Sequence, residues 1–174
     1  LKFNVDEPSL KNEYALEINW KPSKKREMTW KYNQSQKKRN NTENGDITSQ
    51  CLEVLKQNFR YQISYQVSPS IFFKNRVEIV RYKLVKNLPE KGYLIYHDIL
   101  YKKLNNPFSF SMRYALFDCN TYNARIYAFE NDVLFAYAVP AYSNKGTRVY
   151  LNLHYRLNKM IDFWLRFSQT QYHN

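Results

Sequence analysis

The chain alternates apolar and polar residues with a period of two over nine or ten segments. Residues 147–157 show the pattern best. Their odd-numbered positions from Val149 to Leu157 are apolar or tyrosine, and most of the positions between them are charged or hydrogen-bonding. Neighbouring side chains of a strand point to opposite faces of a sheet. Each segment therefore predicts a strand with one apolar face and one polar face.

Read along the chain, the alternation predicts ten strands. They cover residues 13–20, 26–34, a segment that ends at 67, 71–82, 92–104, 108–116, 125–129, 133–139, 147–157 and 161–172. Residues 35–50 are predicted to form a long polar loop, and residues 130–132 to form a turn between the seventh and eighth strands. A single bulged strand is the alternative there. If residues 130–132 form a turn, short and long connections alternate along the chain. This alternation is typical of outer-membrane barrels, which have short periplasmic turns and long outer loops.

We therefore expect an all-β fold, a transmembrane antiparallel up-and-down β-barrel with about ten strands in this sequence and more in the complete protein. Residues 1–12 are interpreted as a polar N-terminal segment and residues 13–174 as the β-barrel region, which we expect to be incomplete at both ends. The last predicted strand ends on the long-loop side, whereas a complete barrel returns to the periplasmic side. Because a barrel must be exported, we also expect a longer precursor.

The two faces of the predicted strands assign side chains to environments. Charged residues on the polar faces are expected to line the barrel interior: Lys31, Arg60, Lys74, Arg76, Glu78, Arg113, Arg148, Arg156 and Arg166. Residues on the apolar faces are expected to contact lipid: Ile63, Tyr65, Phe110, Met112, Val149, Leu151, Leu153, Phe163 and Leu165. Aromatic residues near strand ends are expected at the water–lipid interfaces: Trp20, Trp30, Tyr32 and Trp164.

Composition agrees with this picture. Aromatic residues make up 17% of the chain, which argues against disorder and suits the aromatic girdles of a barrel. No run of about 18 apolar residues occurs, so no transmembrane helix is predicted. The net charge of +12 is explained either by solvated loops or by affinity for anions such as lipopolysaccharide phosphates, nucleic acid or an acidic solute.

The sequence offers little chemistry. The three histidines and the two cysteines lack metal-ligand spacing, and no serine stands beside a histidine in the alternation. We therefore expect no catalytic residue, no metal site, no cofactor and no enzymatic activity, although a Ser–His–carboxylate site is defined by geometry and not by sequence order. Cys51 and Cys119 are interpreted as unpaired thiols, with pairing in an oxidising compartment as the alternative.

Six strings of residues resemble one known family. They are residues 73–78, 92–98, 110–118, 125–134, 145–148 and 162–166, of which Arg125 to Leu134 is the strongest. From Phe72 onward, over about 100 residues, the chain resembles the C-terminal region of large Bacteroidetes proteins described as helix-hairpin-helix domain proteins. The resemblance implies an outer-membrane β-barrel behind an N-terminal helix-hairpin-helix region that this sequence lacks. It implies no catalytic residues.

From these patterns we expect an integral outer-membrane protein of a Gram-negative bacterium that acts as a structural or partner-binding part of a cell-envelope assembly. Outer-membrane lipid, including lipopolysaccharide, and other envelope proteins are its expected partners. A narrow channel for anionic solutes is one alternative, because arginines outnumber carboxylates on the polar faces. A soluble basic β-protein that binds nucleic acid is another, although nucleic acid is disfavoured because aromatics occur on nearly every strand.

Overall fold

The computed structural model describes residues 10–40, 51–85 and 87–173 and shows one antiparallel sheet of eight strands. The elements in chain order are β1 (Asn12–Ser23), β2 (Arg26–Asn40), β3 (Cys51–Ser68), β4 (Ile71–Leu84), β5 (Glu90–Lys102), β6 (Phe108–Cys119), a 3-10 helix (Tyr122–Ala124), β7 (Ile126–Tyr127), β8 (Ala141–Tyr142), β9 (Asn144–Arg156) and β10 (Asp162–Tyr172). The sheet order is β1-β2-β3-β4-β5-β6-β9-β10, and β7 pairs only with β8.

The strands β1 and β10 are the two edges of this sheet, since no pairing joins them within the described ranges. In that same part of the chain, no helix has the length and apolar character needed to cross a membrane.

The prediction of ten strands in the main sheet is wrong at residues 125–139. These residues contribute only β7 and an isolated bridge between Glu130 and Ala138, and neither joins the main sheet. Instead β6 pairs directly with β9, from Phe108 opposite Tyr155 to Cys119 opposite Asn144. Residues 130–132 are therefore not a turn between two strands of the sheet.

The connections of the eight strands only partly follow the predicted alternation of short and long. Connections 24–25, 69–70, 103–107 and 157–161 lie at one end of the sheet, the turn end. At the opposite end, the loop end, residues 85–89 connect β4 to β5 and residues 120–143 connect β6 to β9. The connection 85–89 is no longer than 103–107 or 157–161, so the prediction of a long connection there is wrong. β2 continues to Asn40, so residues 35–40 belong to a strand and not to the predicted loop. Residues 41–50 lie outside the described residues.

Cross-strand register separates the sheet into two faces of different chemistry. On the polar face, Lys31, Arg60 and Glu78 lie in one row across β2, β3 and β4. On the apolar face, Val77, Ile95 and Leu116 lie in one row across β4, β5 and β6. Because side chains alternate along each strand, these rows fix the face of every other residue in the main sheet. On β5 they place Leu94 on the polar face and Ile95 on the apolar face.

Residues 120–143, called here the inner segment, pack on the polar face. Ile126, Ala128 and Tyr142 of this segment are buried against side chains of β4, β5 and β6. The sheet contributes Val80, Leu94, Tyr96, Ala115 and Phe117 to this cluster. A hydrophobic core therefore lies on the face that the sequence pattern marks as polar.

Close approach of the inner segment depends on a glycine. A Cβ atom at Gly92 in β5 would overlap the carbonyl oxygen of Ala124, at the end of the 3-10 helix. The absent side chain lets the backbone of the inner segment lie directly on the sheet. The buried cluster can then form beneath it.

Candidate functional site

The register places every charged residue that was predicted to line an interior on the polar face. These residues are Lys31, Arg60, Lys74, Arg76, Glu78, Arg113, Arg148, Arg156 and Arg166. Their common face follows from the structure, whereas their exposure to a barrel interior stays a prediction. The inner segment covers the part of this face that β4 to β10 form.

The residues that were predicted to contact lipid share the opposite, apolar face. They are Ile63, Tyr65, Phe110, Met112, Val149, Leu151, Leu153, Phe163 and Leu165. Phe163 is 56% exposed and Leu165 is 63% exposed, so neither packs inside the fold. Contact with lipid stays a prediction, but these side chains are open to a surrounding medium.

The four aromatic residues that were predicted to lie at interfaces divide between the two faces. Trp20, Trp30 and Tyr32 lie on the apolar face, where the Trp30 and Tyr61 ring centroids are 5.5 Å apart. Trp164 lies on the polar face, opposite His154, and stacks on its ring with centroids 4.1 Å apart. Trp164 therefore does not lie on the apolar face, where the other three residues could reach a water–lipid interface.

Glu130 is the central charge of the inner segment and is fully buried. Arg148 of β9 donates two hydrogen bonds to its carboxylate, at 2.7 and 2.9 Å, and Arg166 of β10 donates another at 2.7 Å. The Tyr142 hydroxyl also donates to it, at 2.9 Å. One carboxylate thus joins the inner segment to two neighbouring strands through charge-assisted hydrogen bonds.

A second carboxylate of the inner segment, that of Asp132, completes this cluster. Asp132 forms an ion pair with Arg166 at 2.5 Å. Burial would raise the pKa of Asp132, but the Arg166 contact and the backbone N–H of Val133 hold it below its ordinary value. Burial and the nearby Glu130 carboxylate raise the pKa of Tyr142, so its hydroxyl remains a proton donor at neutral pH.

A second buried carboxylate, Glu78 of β4, is 1% exposed. Arg60 donates to both of its oxygens, at 2.8 and 3.1 Å, and Asn58 donates at 2.7 Å. The Arg76 guanidinium lies 3.7 Å from the Glu78 carboxylate. It donates two hydrogen bonds to Gln62 Oε1, at 3.2 and 2.9 Å. The Glu78 carboxylate is therefore satisfied within the sheet, by groups of β3 and β4.

The third buried pair joins Asp98 and Arg113, whose two parallel hydrogen bonds measure 2.5 and 2.7 Å. The Arg113 guanidinium also lies over the Tyr96 ring, 3.6 Å from its centroid, which is a cation–π contact. Among the described residues, the buried side-chain atoms without a hydrogen-bond partner are Arg113 Nη1 and Asn152 Oδ1. Both lie on the polar face, beside the inner segment.

A Ser–His–Asp chain occupies the turn end of the polar face. Ser109 Oγ lies 3.2 Å from His154 Nδ1, and His154 Nε2 lies 3.1 Å from Asp162 Oδ1. The expectation that no serine stands beside a histidine is wrong, because the β6–β9 register places Ser109 directly opposite His154. The ring nitrogens are reversed relative to serine hydrolases, in which Nε2 faces the nucleophile and Nδ1 the carboxylate.

We expect a fluorophosphonate probe to leave Ser109 unlabelled, because the reversed ring and the ion pair of Asp162 with Arg156 favour a structural contact over nucleophile activation. Mass spectrometry of the probe-treated protein, with a serine hydrolase treated in parallel, measures this. Labelling that disappears in Ser109→Ala would contradict the expectation.

The remaining candidate chemistry is sparse. Over residues 10–40, 51–85 and 87–173, no group of three or more His, Cys, Asp or Glu side chains is arranged to hold a metal ion. Cys51 and Cys119 form no disulfide, and Cys119 is buried.

The chain matches no protein-family model, no curated protein and no solved structure.

Proposed function

We propose that this chain forms the wall of an integral outer-membrane β-barrel whose interior is filled by its own inner segment. We assign it a structural or partner-binding role in a cell-envelope assembly of a Gram-negative bacterium. The observation that carries the proposal is the exposed apolar face of the sheet, together with a polar face on which buried charges are paired. A water-soluble sandwich would instead bury its apolar face.

The apolar face has the length of a membrane-spanning strand. On β6 its residues run from Leu116 to Phe108, a stretch of nine residues. A barrel strand tilted by about 45° needs about 9–11 residues to cross the hydrocarbon core of a bilayer. Aromatic side chains lie at both ends of this stretch, called here the apolar band, with Tyr32, Phe59 and Tyr93 towards the loop end and Tyr65, Tyr101 and Phe108 towards the turn end.

Polar groups within the apolar band satisfy one another. His97 and Asn75 lie side by side on β5 and β4, with Nδ1 and Oδ1 2.6 Å apart, and the His97 ring packs against Phe73. A polar group in lipid needs such a partner, because no water is present to replace it. In a bilayer the outer amides of β1 and β10 also need partners, which are each other or further strands.

The filled polar face favours a structural barrel over an anion channel. The arginines that could select anions are bound to carboxylates: Arg60 to Glu78, Arg113 to Asp98, and both Arg148 and Arg166 to Glu130. A narrow interior filled with paired charges and a hydrophobic cluster leaves little room for ions to pass. The resemblance to Bacteroidetes outer-membrane barrel regions agrees with this assignment.

Membrane fractionation tests the proposal. We expect the protein to be recovered in outer-membrane fractions only after detergent extraction, with β-rich circular dichroism. Recovery as a monomer in detergent-free buffer, with salt-dependent oligonucleotide binding, would instead support the soluble nucleic-acid binder. In planar bilayers we expect no steady conductance, and an anion-selective current would support the channel.

A further inference from the structure

A basic cavity lies at the loop end of the polar face, outside the paired clusters. Its volume is about 380 Å³. Among the described residues, five basic side chains and no carboxylate line it; the basic residues are Lys11, Lys37, Arg39, Lys56 and Arg125. This cavity, called here the rim pocket, has a size at the lower end of the range for small-molecule sites.

The fold brings these cations together from four places, the first of which is Lys11, directly before β1. Lys37 and Arg39 come from the end of β2, and Lys56 comes from β3, where it lies opposite Ser35 and Tyr82. Arg125 comes from the inner segment, directly after the 3-10 helix. The rim pocket therefore forms only when the inner segment is seated on the sheet.

Most cations of the rim pocket lack the carboxylate partners that Arg60, Arg113, Arg148 and Arg166 have elsewhere on the polar face. Lys11 has Glu13 as its partner at 2.6 Å. In the described part of the chain, no ion pair involves Lys37, Lys56 or Arg125. Like charges gathered without counterions repel each other, and a bound anion relieves that repulsion.

The two guanidinium groups are held in place by neutral contacts. Arg39 Nη1 donates to Asn123 Oδ1 at 3.3 Å and to the Tyr82 hydroxyl at 3.4 Å. Arg125 donates to the Tyr122 carbonyl at 2.7 Å and to the Tyr127 hydroxyl at 2.6 Å, and lies over the Tyr122 ring. These contacts orient the cations without cancelling their charge, which preorganises a site for an anion.

We propose that the rim pocket binds a phosphate group. Arginine forks and lysine point charges together are the residues that recognise phosphate oxygens. The buried side chains of Val54 and Tyr82 form part of its wall, and the low polarity there strengthens the attraction. The phosphate group can belong to a small phosphorylated solute or to a lipid headgroup. The inference does not depend on closure of the sheet or on insertion into a membrane.

Calorimetric titration of the purified protein with inorganic phosphate and with glycerol 3-phosphate tests the site. The double variant Lys56→Gln/Arg125→Gln is expected to weaken binding at least tenfold, since a hydrogen bond to a charged group contributes about 1.5–3 kcal/mol. Lys24→Gln/Lys102→Gln, which removes two cations at the turn end, is the matched control and should bind as the wild type does. Circular dichroism checks that both variants fold.

Competition between glycerol 3-phosphate and nanodiscs that contain phosphatidic acid separates the two sources of the phosphate group. Binding of either ligand that is lost in the double variant and kept in the control supports the site. Three results would overturn it: no phosphate binding at about 10 mM ligand, where a site would contribute less than about 4 kcal/mol, equal loss in both variants, or equal affinity for chloride. A failure to bind phosphate would not contradict the membrane proposal, because membrane fractionation tests that proposal separately.

Discussion

Glu130→Gln is expected to destabilise the protein by about 3–5 kcal/mol, the range observed when one partner of a buried ion pair is removed. The substitution keeps the size of the side chain but removes the charge that Arg148 and Arg166 share. Both guanidinium groups then remain near a neutral amide in a buried site. Urea unfolding in detergent micelles, followed by circular dichroism, measures the loss.

The same variant should loosen the inner segment more than the sheet. Hydrogen exchange is expected to accelerate at residues 126–142, where the Glu130 amide bonds to the Ala138 carbonyl, and to change little in β3. Glu13→Gln is the matched control, because its ion pair with Lys11 is exposed and should contribute at most about 1 kcal/mol. Wild-type stability and exchange in Glu130→Gln would show that this carboxylate does not anchor the segment.

Ile95→Arg is expected to destabilise the protein by about 1–3 kcal/mol in lipid vesicles, because arginine on the lipid face of a barrel costs about 2–4 kcal/mol at the bilayer midplane and about 0–1 kcal/mol near the interfaces. Ile95 is 53% exposed and lies on the apolar face in the row of Val77 and Leu116, one position inside Tyr93 of the same strand. In a water-soluble protein the same change at an exposed position would cost less than about 0.5 kcal/mol. The size of the stability loss in this variant therefore distinguishes a side chain that contacts lipid from one that contacts water.

Leu88→Arg serves as the matched control for Ile95→Arg. Leu88 is 89% exposed and lies in the connection between β4 and β5, outside the apolar band. Its replacement should cost no more than about 1 kcal/mol in vesicles. Equal, small effects of both substitutions would mean that the apolar face does not contact lipid, and the membrane proposal would fail.

Alternation alone predicted most of the main sheet, because register is strongly specified where two faces differ in chemistry. The predicted strands at 71–82 and 147–157 correspond to β4 and β9 with small shifts at their ends. The polar and apolar sides were also assigned consistently, since a period of two determines the face of every residue once one residue is placed.

The inner segment was misread for a physical reason. Ile126, Ala128 and Glu130 are buried, whereas Tyr127 and Phe129 are about half exposed, so the segment alternates as a strand does. An extended chain that lies on a sheet buries every second side chain in the same way as a strand within the sheet. Periodicity in one sequence cannot separate these two cases, because the difference lies in which backbone partners accept the hydrogen bonds.

The Ser109–His154 contact and the rim pocket share a second reason for being missed. Each brings together side chains that are far apart in the sequence. The length of the connection between them does not show which strands will pair. Ser109 meets His154 only because β6 and β9 pair across the 24 residues from 120 to 143. Lys56 and Arg125 lie in elements that the sequence pattern gave no reason to bring together. Such sites require the topology before their chemistry becomes visible.

The uneven cover of the polar face gives the molecule a gradient of local stability. Every residue of β1 is exposed, and within the described residues β1 pairs with β2 alone. The buried side chains of the described ranges concentrate in β4, β5, β6, β9 and the inner segment. Transient opening should therefore begin at the β1 edge, while β4 to β9 behave as a single cooperative unit that opens last.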